Sequence, residues 1–569
     1  MPVLPAIHTV PRLAFTLALL LAAGCSGGDP PARVADDPAS VPEEERYGGT
    51  AVLPMVTGLE TMNPLAVSDY GTQVVQRSVL FTPLVSYNER LEPTPSLAES
   101  WDTVRVAPDT LELTFRLRRD VFWHDGEPTT ADDVLFTFER MLDPRVAFPG
   151  MAKLARYRPH AELLDPYTIR FWLRPHAEFL EVWYTTPAVP RHILGNVPPE
   201  QLRQHPFGVR EPVGNGPFRF VRHTPNQEWV FEANPNHPEA LGGRPYLDRL
   251  VYREIPDYTT LLTEVLTGRL DVAGVRPEHL DRVRAAPDVR LLSFSIPQWT
   301  FIAWNTRLPL FRDARVRRAL SLALNREAIV QGVLYGIPEV GRTPVTPAHW
   351  AYAGDDPETL LPYDPAEARR LLAEAGWSDR DGNGVLQDEA GREFRFTMKT
   401  RLGNDSWREI AEIAQAQLGA LGIVVRPQLV ESATLLQQIQ GQPGARGERE
   451  RDFDAVVLNW VEGFGKDDSP LLHSRSRNEP RGFVGYTNQE AERLLDTLAV
   501  TMDREHARPL WHQYQRLMAR EVPYTVIYYG KPLVAVSRRM QGVEMDPRGS
   551  LASVAGWWIL PASRQERRR

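Results

Sequence analysis

The chain has 569 residues and a mass of 64.4 kDa, with 42% hydrophobic and 24% charged residues, a balance that excludes a wholly disordered, collagenous or coiled-coil protein. A formal net charge of −8 argues against nucleic acid as the main partner, because phosphate backbones are held by clustered cations. Fifty Pro, 14 Trp and 17 Tyr point to turns and aromatic-lined surfaces, not to a helical bundle.

The N-terminus reads as an export signal. Arg12 precedes an apolar run from Leu13 to Ala23, closed by Gly24, Cys25 and Ser26. The run is shorter than the roughly 20 apolar residues that span a bilayer. Residues 1–24 are therefore expected to be a signal peptide. Ala22-Ala23-Gly24-Cys25 resembles a bacterial lipobox, which implies that Cys25 carries a lipid. The alternatives are a free thiol behind a cleaved signal, or a core cysteine. Cys25 is the only cysteine, so disulfides and Cys-ligated zinc are excluded. Residues 25–46, rich in Pro, Gly, Asp and Glu, read as a tether.

The body mixes strands and helices. β-branched and aromatic alternation predicts strands at Leu111–Leu117, Thr168–Leu173, Phe218–Arg222, Trp229–Ala233, Phe394–Lys399, Val424–Val430, Ala455–Trp460 and Thr525–Tyr529. A 3.6-residue period predicts helices at Ala131–Leu142, Tyr258–Thr267, Ala314–Leu322, Pro365–Ala375, Ser406–Leu421, Glu490–Ala499 and His506–Ala519. For the helix at Pro365, Asp364 supplies a cap, Glu367 can complete a capping box and Gly376 marks the end. The polar stretch Gln440–Arg451 reads as a surface loop.

No nucleophile elbow, H-E-x-x-H, P-loop or dinucleotide fingerprint occurs. Asp379, Asp381 and Asn383 occupy positions one, three and five of a calcium-type loop, but the twelfth position is Ala390 where a bidentate Glu is needed. The preferred reading is an Asp/Gly/Asn hairpin. No cofactor or metal is expected.

Several segments, in order, resemble family 5 of the bacterial extracellular solute-binding proteins, the peptide- and nickel-type receptors of ABC importers. They include Pro95–Trp101, the block Arg116–Gly126 with Thr130–Val134, Gly214–Phe218, Arg315–Leu320 and Gly485–Asn488. The resemblance implies an α/β, two-lobed periplasmic-binding-protein-like fold (type II, with an inserted domain) and a central cleft. It implies these divisions: 47–74 and 191–295 as parts of lobe I, 75–190 as the inserted domain, 296–520 as lobe II, and 521–569 returning to lobe I. It also implies a lipid-anchored monomer at the extracytoplasmic face that captures a small peptide and delivers it to importer permease subunits.

By the same resemblance, Trp460 is the expected cleft aromatic. Peptide-binding members carry an Asp three residues later, which pairs with the ligand's amino terminus. That position here is Gly463, and Glu462 is the expected substitute. Asp69, Tyr70, Asn305, Trp350 and Tyr486 are further candidate ligand contacts, each set against a scaffold role. The missing Asp keeps a second reading open, in which the same fold binds a metal chelate, sugar or opine. An extracytoplasmic hydrolase would need an activated nucleophile or metal, and an adhesin would need repeats.

Overall fold

The computed structural model describes residues 38–67, 69–444 and 448–564. The expected signal peptide, Cys25 and the first part of the expected tether lie outside the described residues. Among those described, no helix is long and apolar enough to cross a membrane.

Two apolar cores organise the body. The first gathers residues from Ala51 to Val272 and takes up the chain again from Val534 to Ile559. It covers two antiparallel-rich sheets. In one, Thr50–Met55 runs parallel to Arg249–Glu254, followed by Glu228–Ala233 and Phe218–Thr224. The other, inserted between the first two of those strands in sequence, has the order Ala98–Ala107, Thr110–Leu117, Thr168–Leu173, His160–Asp165. Burial alternates along Thr168–Leu173, so one face meets Phe115, Phe138 and Trp183 while the other faces water.

The second lobe is built on a five-stranded sheet. Its order is Val424–Val430, Arg395–Arg401, Ala455–Val461, Gln298–Trp304, Tyr524–Tyr529. Helices pack on both faces, with Asp405–Gly419 on one side and Arg504–Glu521 on the other. Gln298–Trp304 lies between two partners and is buried almost throughout. It reads as one continuous apolar run, which alternation does not detect. Its pairing fixes the register that matters below: Trp299 faces Trp460, and Trp304 faces Ala455.

Asp364 caps its helix as expected, accepting from Ala366 and Glu367 backbone amides. The capping box is not completed, because the Glu367 carboxylate lies 2.6 Å from Arg370. Within the polar stretch at 440–451, Gln442–Pro443 pairs with Arg449–Glu450. In the calcium-like loop, both Asp379 oxygens accept backbone amides, from Gly382 and Gly384. Asp381 and Asn383 accept from Asn383 and Val385 amides. The loop's oxygens thus satisfy the loop itself.

Candidate functional site: the seam between the lobes

The strand Ala455–Val461 delivers Trp460 to one end of the second-lobe sheet, half-buried, with the Arg481 guanidinium 5.5 Å above its ring. The chain then turns through Gly463 and Gly465, both of which meet the inserted domain. A Cβ on Gly463 would lie 2.7 Å from a Glu181 carboxylate oxygen, and one on Gly465 would lie 2.7 Å from the Glu178 Cα. Only glycine permits so close an approach. The Glu181 carboxylate accepts the amides of Phe464 at 3.0 Å and Gly465 at 3.2 Å. The Phe464 ring packs edge-on to Tyr87 at 5.1 Å and against Tyr184 at 5.2 Å. A carboxylate across the seam therefore fills the space where an Asp at position 463 would project.

Beside this contact lie two cavities of about 490 and 730 Å³ that share Tyr157, His176 and Asp467. Trp460, Gly463 and Lys153 line the smaller one. The short helix Met151–Arg156 carries Lys153, and the segment entering Phe179–Thr185 carries His176 and Glu178. Charges interleave across the seam. Lys153 Nζ lies 2.9 Å from Glu178, and His176 Nε2 lies 3.6 Å from Asp467. Burial pushes the Glu178 carboxyl up, with the Lys153 ammonium opposing it. For Asp467, burial also acts upward, but the nearby His176 and the hydrogen bonding of Ser469 outweigh it and hold the group below the usual carboxylate range. His176, Glu178 and Asp467 offer ligand atoms within 4.8 Å of one another, a spacing a metal ion could use. The Lys153 ammonium already occupies Glu178, so that set is matched by a cation of the chain itself.

Glu462 sits elsewhere. Its side chain is fully buried, 2.5 Å from Lys466 Nζ and 2.7 Å from Thr346 Oγ1. Lys466 also lies 2.7 Å from Asp468, which accepts from the Tyr514 hydroxyl. Burial pushes Asp468 up to about 6 even against Lys466. This triad is interior, so Glu462 does not face the cavities and cannot replace an acid at 463. Asn305 and Tyr486 line neither cavity. By register Asn305 stands past the opposite end of the sheet, about 20 Å from Trp460 at roughly 3.3 Å per residue, and Tyr486 lies near it beside Thr306. The Asn305 side chain donates to the Phe453 carbonyl, and Tyr486 is buried. Trp350 stays near the seam beneath Arg504, with ring and guanidinium 5.1 Å apart, but lines neither cavity. Asp69 caps the helix Tyr70–Val75 through Thr72, and Tyr70 lies half-exposed beside Arg77. Both belong to the first lobe and line neither cavity. The sequence does not single out Lys153, Tyr157, His176, Glu178 or Glu181, and it offers Asp467 only as an acid after Glu462 that reads as solvent-facing. One signal was available: the chain has four lysines, and Lys153 and Lys466 are two of them.

The sequence model described as "Bacterial extracellular solute-binding proteins, family 5 Middle" matches residues 92–480. The chain belongs to family 5 of the bacterial extracellular solute-binding proteins. It is 30% identical over 548 residues to oligopeptide-binding protein AppA of Bacillus subtilis (strain 168), covering 95% of this chain and 97% of that one. The solved structure of that protein, in complex with a nonapeptide, superposes with a TM-score of 0.75 over 90% of this chain and 99% of its own. Heme-binding protein A of Haemophilus influenzae is 28% identical over 484 residues, covering 80% and 82% of the two chains. The family settles the fold as α/β and two-lobed, and the chain as an extracytoplasmic solute-binding protein.

Proposed function

We propose that this family 5 member captures short peptides in the seam between its lobes and hands them to an ABC importer. The observation that carries this reading is the pair of adjoining cavities beside Trp460, whose walls alternate aromatic and charged groups. An extended peptide needs such a place: opposite charges for its termini, and roomy, wettable walls for varied side chains. Trp460 and Tyr157 supply area at little entropic cost. Asp467, kept ionised by His176 and Ser469, is the group we assign to the peptide's amino terminus, in the role first expected of Glu462. Closure brings Glu181 onto the Phe464 and Gly465 amides and shuts the seam as a hinge would. The oligopeptide-binding relative complexed with a nonapeptide supports the substrate class. The division into lobe I, an inserted domain at 75–190 and lobe II from 296 is part of the proposal; lobe II runs past the expected 520, because the strand Tyr524–Tyr529 pairs with Gln298–Trp304 in its sheet. So are a lipid on Cys25, a monomeric state and the permease partnership. A chelate or porphyrin is the second reading, favoured by Gly463 and by the heme-binding relative. Native mass spectrometry of the protein purified from a complex medium separates them. A ladder of short peptides is expected. One discrete non-peptide mass would sink the peptide assignment and leave the fold intact.

A further inference from the structure

At the end of the second-lobe sheet opposite Trp460 lies a separate cavity of about 330 Å³. Four guanidiniums line it: Arg307, Arg312, Arg317 and Arg477. The one carboxylate on its wall is Glu521, already 3.3 Å from Arg317. Among the described residues, no carboxylate lies within ion-pair distance of Arg307, Arg312 or Arg477. Arg307 donates instead to backbone carbonyls of Arg477, Gly482 and Phe483. Carbonyl dipoles satisfy its N–H groups, and the more distant Glu448 carboxylate offsets its charge only in part. Arg307 is pushed down to about 10, by burial first and then by the neighbouring guanidiniums of Arg451 and Arg477. The Tyr486 hydroxyl, on the same wall, is buried without a hydrogen-bond partner. A chain of net charge −8 has ample carboxylates with which to neutralise such a cluster. Here it holds the like charges together around an open space.

We propose that this cavity is a binding site for a phosphate-class oxyanion. Arg307 comes from the turn after Gln298–Trp304, Arg312 from the short helix Pro309–Arg312, and Arg477 from the loop after Ser474–Ser476. Donors converging from three segments suit a tetrahedral, multiply charged group better than a planar carboxylate. The space admits a free phosphate with its water, or the headgroup of a phospholipid. The two sources share one chemistry, and the experiment separates them. The site is independent of the seam, because none of its walls comes from the first lobe.

The test is thermal unfolding of the full chain in inorganic phosphate, acetate or chloride at constant ionic strength, with sedimentation on phosphatidylcholine vesicles with and without phosphatidylglycerol. Arg312 and Arg477 are exposed, so Arg312→Glu with Arg477→Glu reverses the charge with little risk to folding. Arg477→Gln alone is the milder variant. If free phosphate is the ligand, it raises Tm by about 1 °C at tenfold excess over its Kd, acetate does less, and the double variant loses the shift while Trp460→Ala keeps it. If a headgroup is the ligand, the protein sediments with phosphatidylglycerol vesicles and the double variant does not. Phosphate and chloride behaving alike, together with no sedimentation on anionic vesicles, would overturn the proposal. So would phosphate or vesicle effects unchanged in both Arg variants.

Discussion

Where the strand Ala455–Val461 ends, charges answer one another: Lys466 lies 2.5 Å from Glu462 and 2.7 Å from Asp468, and Lys153 lies 2.9 Å from Glu178. At the other end of the same sheet, Arg307 finds backbone carbonyls, and among the described residues Arg312 and Arg477 find no carboxylate within ion-pair distance. The difference teaches how to read a charge by its neighbours: the Glu462, Lys466 and Asp468 set is buried and matched, whereas Arg312 and Arg477 are exposed around an open cavity. A matched set rigidifies the place where two lobes must meet. An unmatched set holds potential toward whatever enters.

The largest effect should come from breaking the matched set. Lys466→Ala leaves two carboxylates buried beside each other, at a cost of about 3–5 kcal/mol. Guanidinium denaturation reads it. A loss under about 1 kcal/mol would mean that the triad is hydrated and not interior.

A related effect depends on pH. Burial lowers His124 to about 4 and His237 to about 4. As pH falls below 6.5, the unfolded chain binds protons that the folded chain refuses, so stability drops toward pH 4. For His124 alone this amounts to about 3 kcal/mol, taking 1.36 kcal/mol per pKa unit. Asp468, raised to about 6, acts oppositely, because the folded state binds the proton first between its ordinary value and 6. Comparing wild type with His124→Gln at pH 4.5 and 7 isolates the His124 contribution. The variant's stability should depend less on pH, and an unchanged slope would remove His124 from the account.

Smaller effects fall on the seam itself. Trp460→Ala should weaken ligand binding by about 2 kcal/mol, some thirtyfold, without moving the denaturation midpoint far. Arg481→Ala removes only the exposed cation above that ring and should cost about 0.5 kcal/mol of affinity. Installing the missing acid is the most discriminating change. Gly463→Asp drives a side chain into the Glu181 carboxylate, so it should weaken closure, seen as a larger radius of gyration with ligand. Stronger binding would mean that position 463 is open to an acid after all.

The sequence exposed the amphipathic elements and hid the rest. Ala131–Leu142 and Thr168–Leu173 carry a clear period, and the sequence marks them at their observed bounds. Gln298–Trp304 is buried on both faces, and Ala98–Ala107 is exposed along most of its length, so neither shows an alternation that marks it. Trp460 was reached through family resemblance. Glu181 and Asp467 were not, because they lie 286 residues apart and only the fold shows that they share a seam. Glu462 looked suitable by adjacency alone. Glu462 lies one place past the end of the strand Ala455–Val461, where the chain turns, and its carboxylate goes inward to Lys466 and Thr346.

The most direct test of the central claim is a paired titration. A peptide recovered from the protein would be measured by calorimetry in its free and N-acetylated forms, against wild type and Asp467→Asn. The account predicts that acetylation weakens binding to wild type at least tenfold, about 1.4 kcal/mol, and has little further effect on the variant. Equal affinities for the two forms in wild type would contradict the role assigned to Asp467, and with it the place given to the peptide's amino terminus.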